Sequence, residues 1–353
     1  MAGALAGAAA PGSASPARAT ALNGSGLLAY VQGDYAHAVA CQEEGLALWR
    51  ELGDKAGIAT SLYNLGLVAD ARSEYARAAA LFEESLAIAR EAGDTRSVAA
   101  ALHKLGTIVD EQGDYARAAA LYEESLAILR TLGDQRSVAV LLDNLGLGAF
   151  EQGDYARAAA LHGESLAIER RLDDPRGVAT SLNNLGNVAY EQGDYARAME
   201  LHAESLAIER TLGNKRGVAA SLNNLGLLAH RQGDYTQAVA LQAECLEIMR
   251  ELGDQSGLIT CLEDVAGLTV TLASAEQAAR LFGAAAALRE ALGVPAVTSE
   301  QARIERSLAE ARAHLGESAL AEMLAIGRTL SVDQAVAEAL SVLRQGAVTR
   351  RAS

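Results

Sequence analysis

The chain repeats itself every 40 residues over most of its length. Glu-Gln-Gly-Asp-Tyr-Ala-Arg-Ala begins at Glu111, Glu151 and Glu191, and variants begin at Val31 (VQGDYAHA), Ala71 (ARSEYARA) and Arg231 (RQGDYTQA). Residues 151–190 and 191–230 differ at 11 positions, so 29 of 40 are identical. Such a period belongs to solenoids, whose units bury their apolar faces only by stacking and which mostly serve as extended binding surfaces. One elongated body is therefore expected in place of two or three globular domains.

Composition narrows the class further. Half of the residues are apolar, only 4% are aromatic, and alanine dominates, which suits closely packed helices. Two of the four prolines, Pro11 and Pro16, lie near the N-terminus, so the body has few helix breakers. A net charge of −15 argues against a nucleic-acid surface, which needs a basic stripe. No run of 18 apolar residues marks a membrane span. The Ala/Gly/Ser/Pro-rich segment 1–18 lacks a basic n-region and reads as a disordered tail. Cys41 stands where other repeats have Leu81, Leu121 and Leu161, while Cys245 and Cys261 replace serines. All three read as small packing residues of a reduced, cytoplasmic protein.

Residues 175–214 illustrate one unit. Val178, Leu182, Leu185, Val188 and Ala189 recur mostly at spacings of three and four, the stripe of an amphipathic helix. Gly193 suits a left-handed helix end, and Asp194 is placed to cap a second helix. That helix carries Tyr195, Ala198, Leu201, Leu206 and Ile208 on its buried stripe, and Leu212-Gly213-Asn214 closes it. Each unit is thus a helical hairpin with short loops, without any strand signal.

Leu182, Leu185-Gly186, Tyr195, Ala198 and the aromatic slot held by Phe82 and Tyr122 resemble the tetratricopeptide repeat. The period of 40 exceeds the roughly 34 of the standard repeat and is similar to the long-repeat, kinesin light chain-like branch. A second stretch, 278–340, resembles the end of the repeat region in bacterial LuxR-type regulators and related signal-transduction ATPases. No GxxxxGK[ST] occurs and about ten residues follow Leu343, so the resemblance covers their sensor arm without ATPase or helix-turn-helix, as expected of a piece or truncated paralogue. The implied fold is all-α, a right-handed α-solenoid of about seven hairpins over 19–293. A helical cap over 294–353 is expected to cover the last apolar face.

In this family the first helix of each pair lines the concave groove. The position two before the motif glycine holds Asn64, Lys104, Asn144, Asn184, Asn224 and Asp264. An amide both donates and accepts, which suits the backbone of an extended peptide, the role such asparagines have in long-repeat relatives. The bland alternative is that they bond across to neighbouring helices and hold the stack. One position earlier come Tyr63, His103, Asp143, Asn183 and Asn223, and at the helix end Asp70, Asp110, Phe150, Tyr190 and His230. Phe150, Asn183, Asn184, Asn187 and Tyr190 form the expected binding centre, with Asn223 and Asn224 beside it. Asp70, Asp110 and Asp143 favour a neutral or basic ligand toward the N-terminal half. A carboxylate clamp of the chaperone-tail type is disfavoured, since Lys104 is the sole cation of the ladder and the chain has three lysines.

Catalytic, cofactor and metal sites are not expected. His162 and His202 occupy the aromatic slot and should pack between helices. The Glu-Ser pairs at 84–85, 124–125, 164–165 and 204–205 recur in repeat after repeat, as a fold requirement does and a catalytic residue does not. Tyr35, Tyr75, Tyr115, Tyr155, Tyr195 and Tyr235 recur likewise as wedges. Arg90, Arg130, Arg170, Arg210 and Arg250 sit where a cation complements a helix C-terminus. The expected function is a non-catalytic, cytoplasmic scaffold or sensor arm of bacterial signalling. It would hold a protein or extended peptide in its groove, with no nucleic-acid or membrane partner. The alternative is a receptor for a small signalling peptide or metabolite.

Overall fold

The computed structural model describes residues 15–272, 274–296 and 298–351, all of whose regular structure is helical. Two compact units divide between Ile168 and Glu169. The first holds α1 (Pro16–Val31), α2 (Tyr35–Leu52), α3 (Lys55–Ala71), α4 (Tyr75–Ala92), α5 (Thr95–Glu111), α6 (Tyr115–Leu132), α7 (Gln135–Glu151) and most of α8 (Tyr155–Arg171). The second holds α9 (Pro175–Glu191), α10 (Tyr195–Leu212), α11 (Lys215–Arg231), α12 (Tyr235–Leu252), α13 (Gln255–Leu272), α14 (Ala275–Leu292), α15 (Thr298–Leu315), α16 (Glu317–Gly327) and α17 (Val332–Arg351). Within each unit consecutive helices pair into hairpins, and the second helix of one hairpin packs on the first of the next. This is the all-α solenoid arrangement.

Helix boundaries follow local chemistry. Asp194 accepts from the Arg197 backbone N–H at 3.1 Å, and Asp34, Asp54, Asp94, Asp114, Asp134, Asp174, Asn214 and Asp234 cap their helices in the same way. The helix-ending glycines, such as Gly193 (φ +81°) and Gly213 (φ +66°), adopt the left-handed conformation. Ser73 and Asp173 take the same conformation in place of the glycine found in other repeats. The first helix starts at Pro16, capped by Ser15, inside the segment read as a tail. Residues 1–14 of that segment lie outside the described residues.

Packing within a hairpin rests on one recurring contact. The motif glycine of the first helix lies under the slot residue of the second. A Cβ on Gly66 would fall 2.5 Å from the Phe82 ring, on Gly106 2.5 Å from Tyr122, and on Gly186 2.6 Å from His202. The serine of each Glu-Ser pair is a tie to the first helix. Ser85, Ser125, Ser165 and Ser205 donate to the carbonyls of Ala59, Ala99, Ala139 and Ala179 at 2.8–3.0 Å. The glutamate before each serine, and Glu244 before Cys245, receives the arginine near the end of the previous second helix. Arg50–Glu84, Arg90–Glu124, Arg130–Glu164, Arg170–Glu204 and Arg210–Glu244 lie 2.6–3.1 Å apart. These exposed pairs add about 0–1 kcal/mol each, so they align repeats more than they hold them.

The second unit contains the larger core. Leu258, Leu262, Val265, Leu281 and Phe282 join Ala311, Leu320, Val336, Ala339, Leu340 and Leu343 in one buried cluster. Helix α17 packs on α12, α13 and α14, α16 on α14, and α15 on α13, α14 and α16. The segment after the last hairpin therefore covers its apolar faces. Cys245 and Cys261 are buried in the same core, in slots that hold Ser205 and Ser221 one repeat earlier, and their sulfurs face each other at 2.9 Å.

Candidate functional site

The two series of first-helix residues behave differently. The earlier series pairs with the slot residue 19 positions on. Tyr63 packs on Phe82 (5.4 Å between ring centroids) and His103 on Tyr122 (6.0 Å). His162 donates from Nδ1 to Asp143 at 2.8 Å, and His202 from Nδ1 to Asn183 at 3.1 Å. Aromatic meets aromatic and imidazole meets an oxygen acceptor, so this variation matches residues within a hairpin. Asp143 is buried in this contact and lies 3.1 Å from the Ser165 hydroxyl, whose proton it shares with the Ala139 carbonyl. Asn223 is buried as well, donating to Asp264 at 2.7 Å.

Burial pushes the His202 pKa down to about 4 from its ordinary 6.5, and burial with the Lys104 charge does the same to His103. Below pH 6.5 the unfolded chain takes up protons that these folded imidazoles refuse. Stability is thus lost as pH falls from the ordinary histidine value toward the folded one. His202→Gln, which installs the residue that fills this slot as Gln42 and Gln242, should remove about 2 kcal/mol of the loss between pH 7 and 5. Urea titrations at both pH values would show it, and parallel losses in variant and wild type would refute it.

The ladder series is half-buried throughout, from Asn64 to Asn224. In the first unit Lys104 lies 3.9 Å from Asp70, and Asn144 donates to His103 Nε2 at 3.1 Å. Phe150 packs on the wedge Tyr155 at 5.5 Å. In the second unit Asn224 donates to both Asn183 and Asn187 at 3.1 Å, joining these three into one network. Tyr190 packs on Tyr195 at 5.6 Å. Asn64 and Asn184 have no side-chain partner among the described residues. The expected centre is thus divided: Phe150 belongs to the first unit, while Asn183, Asn184, Asn187 and Tyr190 belong to the second.

The second unit also contains a cavity of about 290 Å³, which Tyr190 and His230 line together with residues from α13, α14 and α15. Arg231 donates to the Tyr190 hydroxyl at 2.7 Å and to Tyr195 at 3.4 Å, and its guanidinium lies over both rings. Two carboxylates in the wall carry their own cations. Arg289 grips Glu263 through two bonds of 2.8 and 2.9 Å, and Arg303 pairs with Asp264 at 3.0 Å. Sequence reasoning placed neither Arg231 nor Arg303 at a site. For Arg231 a signal existed: it reverses the charge of Glu111, Glu151 and Glu191 at the same repeat position. For Arg303 none did, because α15 lies outside the repeat.

No helix among the described residues is long and apolar enough to cross a membrane. A tetratricopeptide repeat family model matches residues 17–91, 74–131, 137–211 and 217–291. No functionally curated protein matches the chain. Among solved structures, a signal transduction ATPase with numerous domains and a tetratricopeptide repeat sensor, from Pyrococcus horikoshii, is 13% identical with a TM-score of 0.62. The match covers 88% of this chain and 44% of that one. The apo quorum sensor NprR of B. thuringiensis is 13% identical with a TM-score of 0.58, over 83% of this chain and 87% of that one. The Rap conjugation gene regulator of plasmid pLS20, in complex with the Phr* peptide, is 14% identical with a TM-score of 0.50, over 81% and 71%. At these identities the likeness is one of fold. With its 40-residue hairpins, glycine-backed slots and family match over most of its length, the chain belongs to the tetratricopeptide repeat family.

Proposed function

We propose that this chain is a non-catalytic, peptide- or protein-binding sensor arm of bacterial cytoplasmic signalling. Its ligand lies along the first helices, which line the concave groove in this family. The observation that carries the reading is the half-buried ladder at 40-residue spacing, in which Asn64 and Asn184 keep their amides unspent on internal bonds. A free amide can donate to and accept from the backbone of an extended chain. Support also comes from the pLS20 Rap regulator, similar in fold, whose structure contains a peptide. Asn144 and Asn224, which bond to neighbouring helices, serve the stack in this reading. Asn183 and Asn223 brace it, while Lys104, Phe150, Asn187 and Tyr190 flank the path.

Asn184→Ala is expected to lower capture of the native ligand about tenfold with an unchanged melting temperature, since it removes contacts made only when ligand is bound. Affinity capture from native lysate, read by mass spectrometry for proteins and small molecules alike, would measure it. Asn224→Ala serves as the comparison that perturbs the internal network. Capture unaffected by Asn184→Ala would refute the ladder as the binding face. The cavity beside Tyr190 favours a small ligand as the second reading, and recovery of a metabolite in place of a peptide would select it.

A further inference from the structure

Resting on the peptide-binding reading, we infer that the cavity under α15 receives the C-terminal residue of a peptide, its carboxylate held by Arg231 and Arg306 and its apolar side chain facing Leu227, Phe282 and Ile304. Charge leads to this assignment. The two wall carboxylates are answered from within the protein, Glu263 by Arg289 and Asp264 by Arg303 and Asn223. Arg231 is held by neutral tyrosine hydroxyls, which orient its guanidinium, while Glu191 acts on its charge without an ion pair between them. Arg306 makes no ion pair among the described residues. The cavity is thus a cationic spot on a chain of net charge −15.

Three further features fit. Arg303 has an enclosed Nη2 without an acceptor among the described residues, a donor left over for an anion. Position 231 is the one place where the repeat exchanges its glutamate for a cation. Gly267 stands where earlier repeats place Leu67, Thr107, Leu147, Asn187 and Leu227, and the missing side chain opens room at the point where Ser307 of α15 comes near. The planar guanidinium fork matches a carboxylate, and about 290 Å³ lies at the small end of ligand cavities, fitting a terminal residue more than a long segment.

The test is equilibrium dialysis of the full chain against N-acetyl-alanyl dipeptides ending in Leu, Ile, Val, Met or Phe, as free acids and as amides, read by mass spectrometry. Acids should be retained about tenfold over amides, and Arg231→Gln and Arg306→Gln should each erase most of that preference, Arg306→Gln with melting unchanged. Because Arg306 is exposed, its variant separates recognition from folding. Equal retention of acids and amides, retention of neither at millimolar concentration, an unchanged preference in both variants, or displacement of the acids by equimolar inorganic phosphate would each overturn the assignment. Such results would leave the ladder intact, since its own test is capture by the Asn184→Ala variant.

Discussion

Gly327→Ala should lower the stability of the second unit by about 2–4 kcal/mol and release α16 to protease. A Cβ on Gly327 would run into the Arg280 carbonyl of α14, and one on Gly283 would run into the Leu324 carbonyl of α16. The two helices thus touch backbone to backbone through a reciprocal pair of glycines. A carbonyl in a helix cannot rotate away as a side chain can, so the added methyl must separate the helices. Separation would strip cover from Phe282, Ala284 and Leu320, which share the buried core. Gly163→Ala is the control: it is also helical, but nothing lies within 4 Å of its Cβ, and it should stabilise by about 0.5–1 kcal/mol through the unfolded chain. Urea denaturation with limited proteolysis measures both. Equal effects from the two substitutions would show that α14 and α16 do not meet this closely.

Arg289→Met should cost about 3–5 kcal/mol, because it leaves the Glu263 carboxylate enclosed without its bidentate partner. The side chains of Glu263 and Arg289 are only 4% and 13% exposed, so water cannot take over for the lost guanidinium. The pair has a local origin. Glu263 stands in the series of Tyr63, His103, Asp143 and Asn183, each of which is answered by its slot residue. In the seventh hairpin that slot is Phe282, which offers no hydrogen bond, and the acid turns to Arg289 on α14. Adding Glu263→Gln to Arg289→Met removes the stranded charge and should recover at least half of the loss. A double-mutant cycle by chemical denaturation gives the coupling directly, and a coupling near zero would mean that solvent reaches Glu263.

Short-range features could be read directly from the chain. Asp194 caps its helix because the cap needs only an oxygen three residues ahead of a free N–H. His202 sits in the slot of Tyr122 because a 40-residue register carries side chains to equivalent places in successive hairpins. Even the arginine ladder was present as a 34-residue spacing, although a last-turn arginine reads first as a partner of the helix dipole. The first-helix variation was harder. Asn183 and Asn223 stand in a series that varies as groove residues would, yet their partners are His202 and Asp264, and whether a side chain turns inward depends on what the facing helix offers.

A period of 40 with glycine, alanine and tyrosine at constant places leaves one way to bury the apolar stripes, in hairpins stacked on one another, so the fold class follows from the chain alone. The cavity does not follow. It forms where α15, which has no counterpart in the repeat, brings Arg303, Arg306 and Ser307 to Arg231 and Gly267. A repeat reports on contacts that recur, because each recurrence tests the same packing. A contact made once, by a segment that returns across the array, leaves no period behind and exists only in the folded chain.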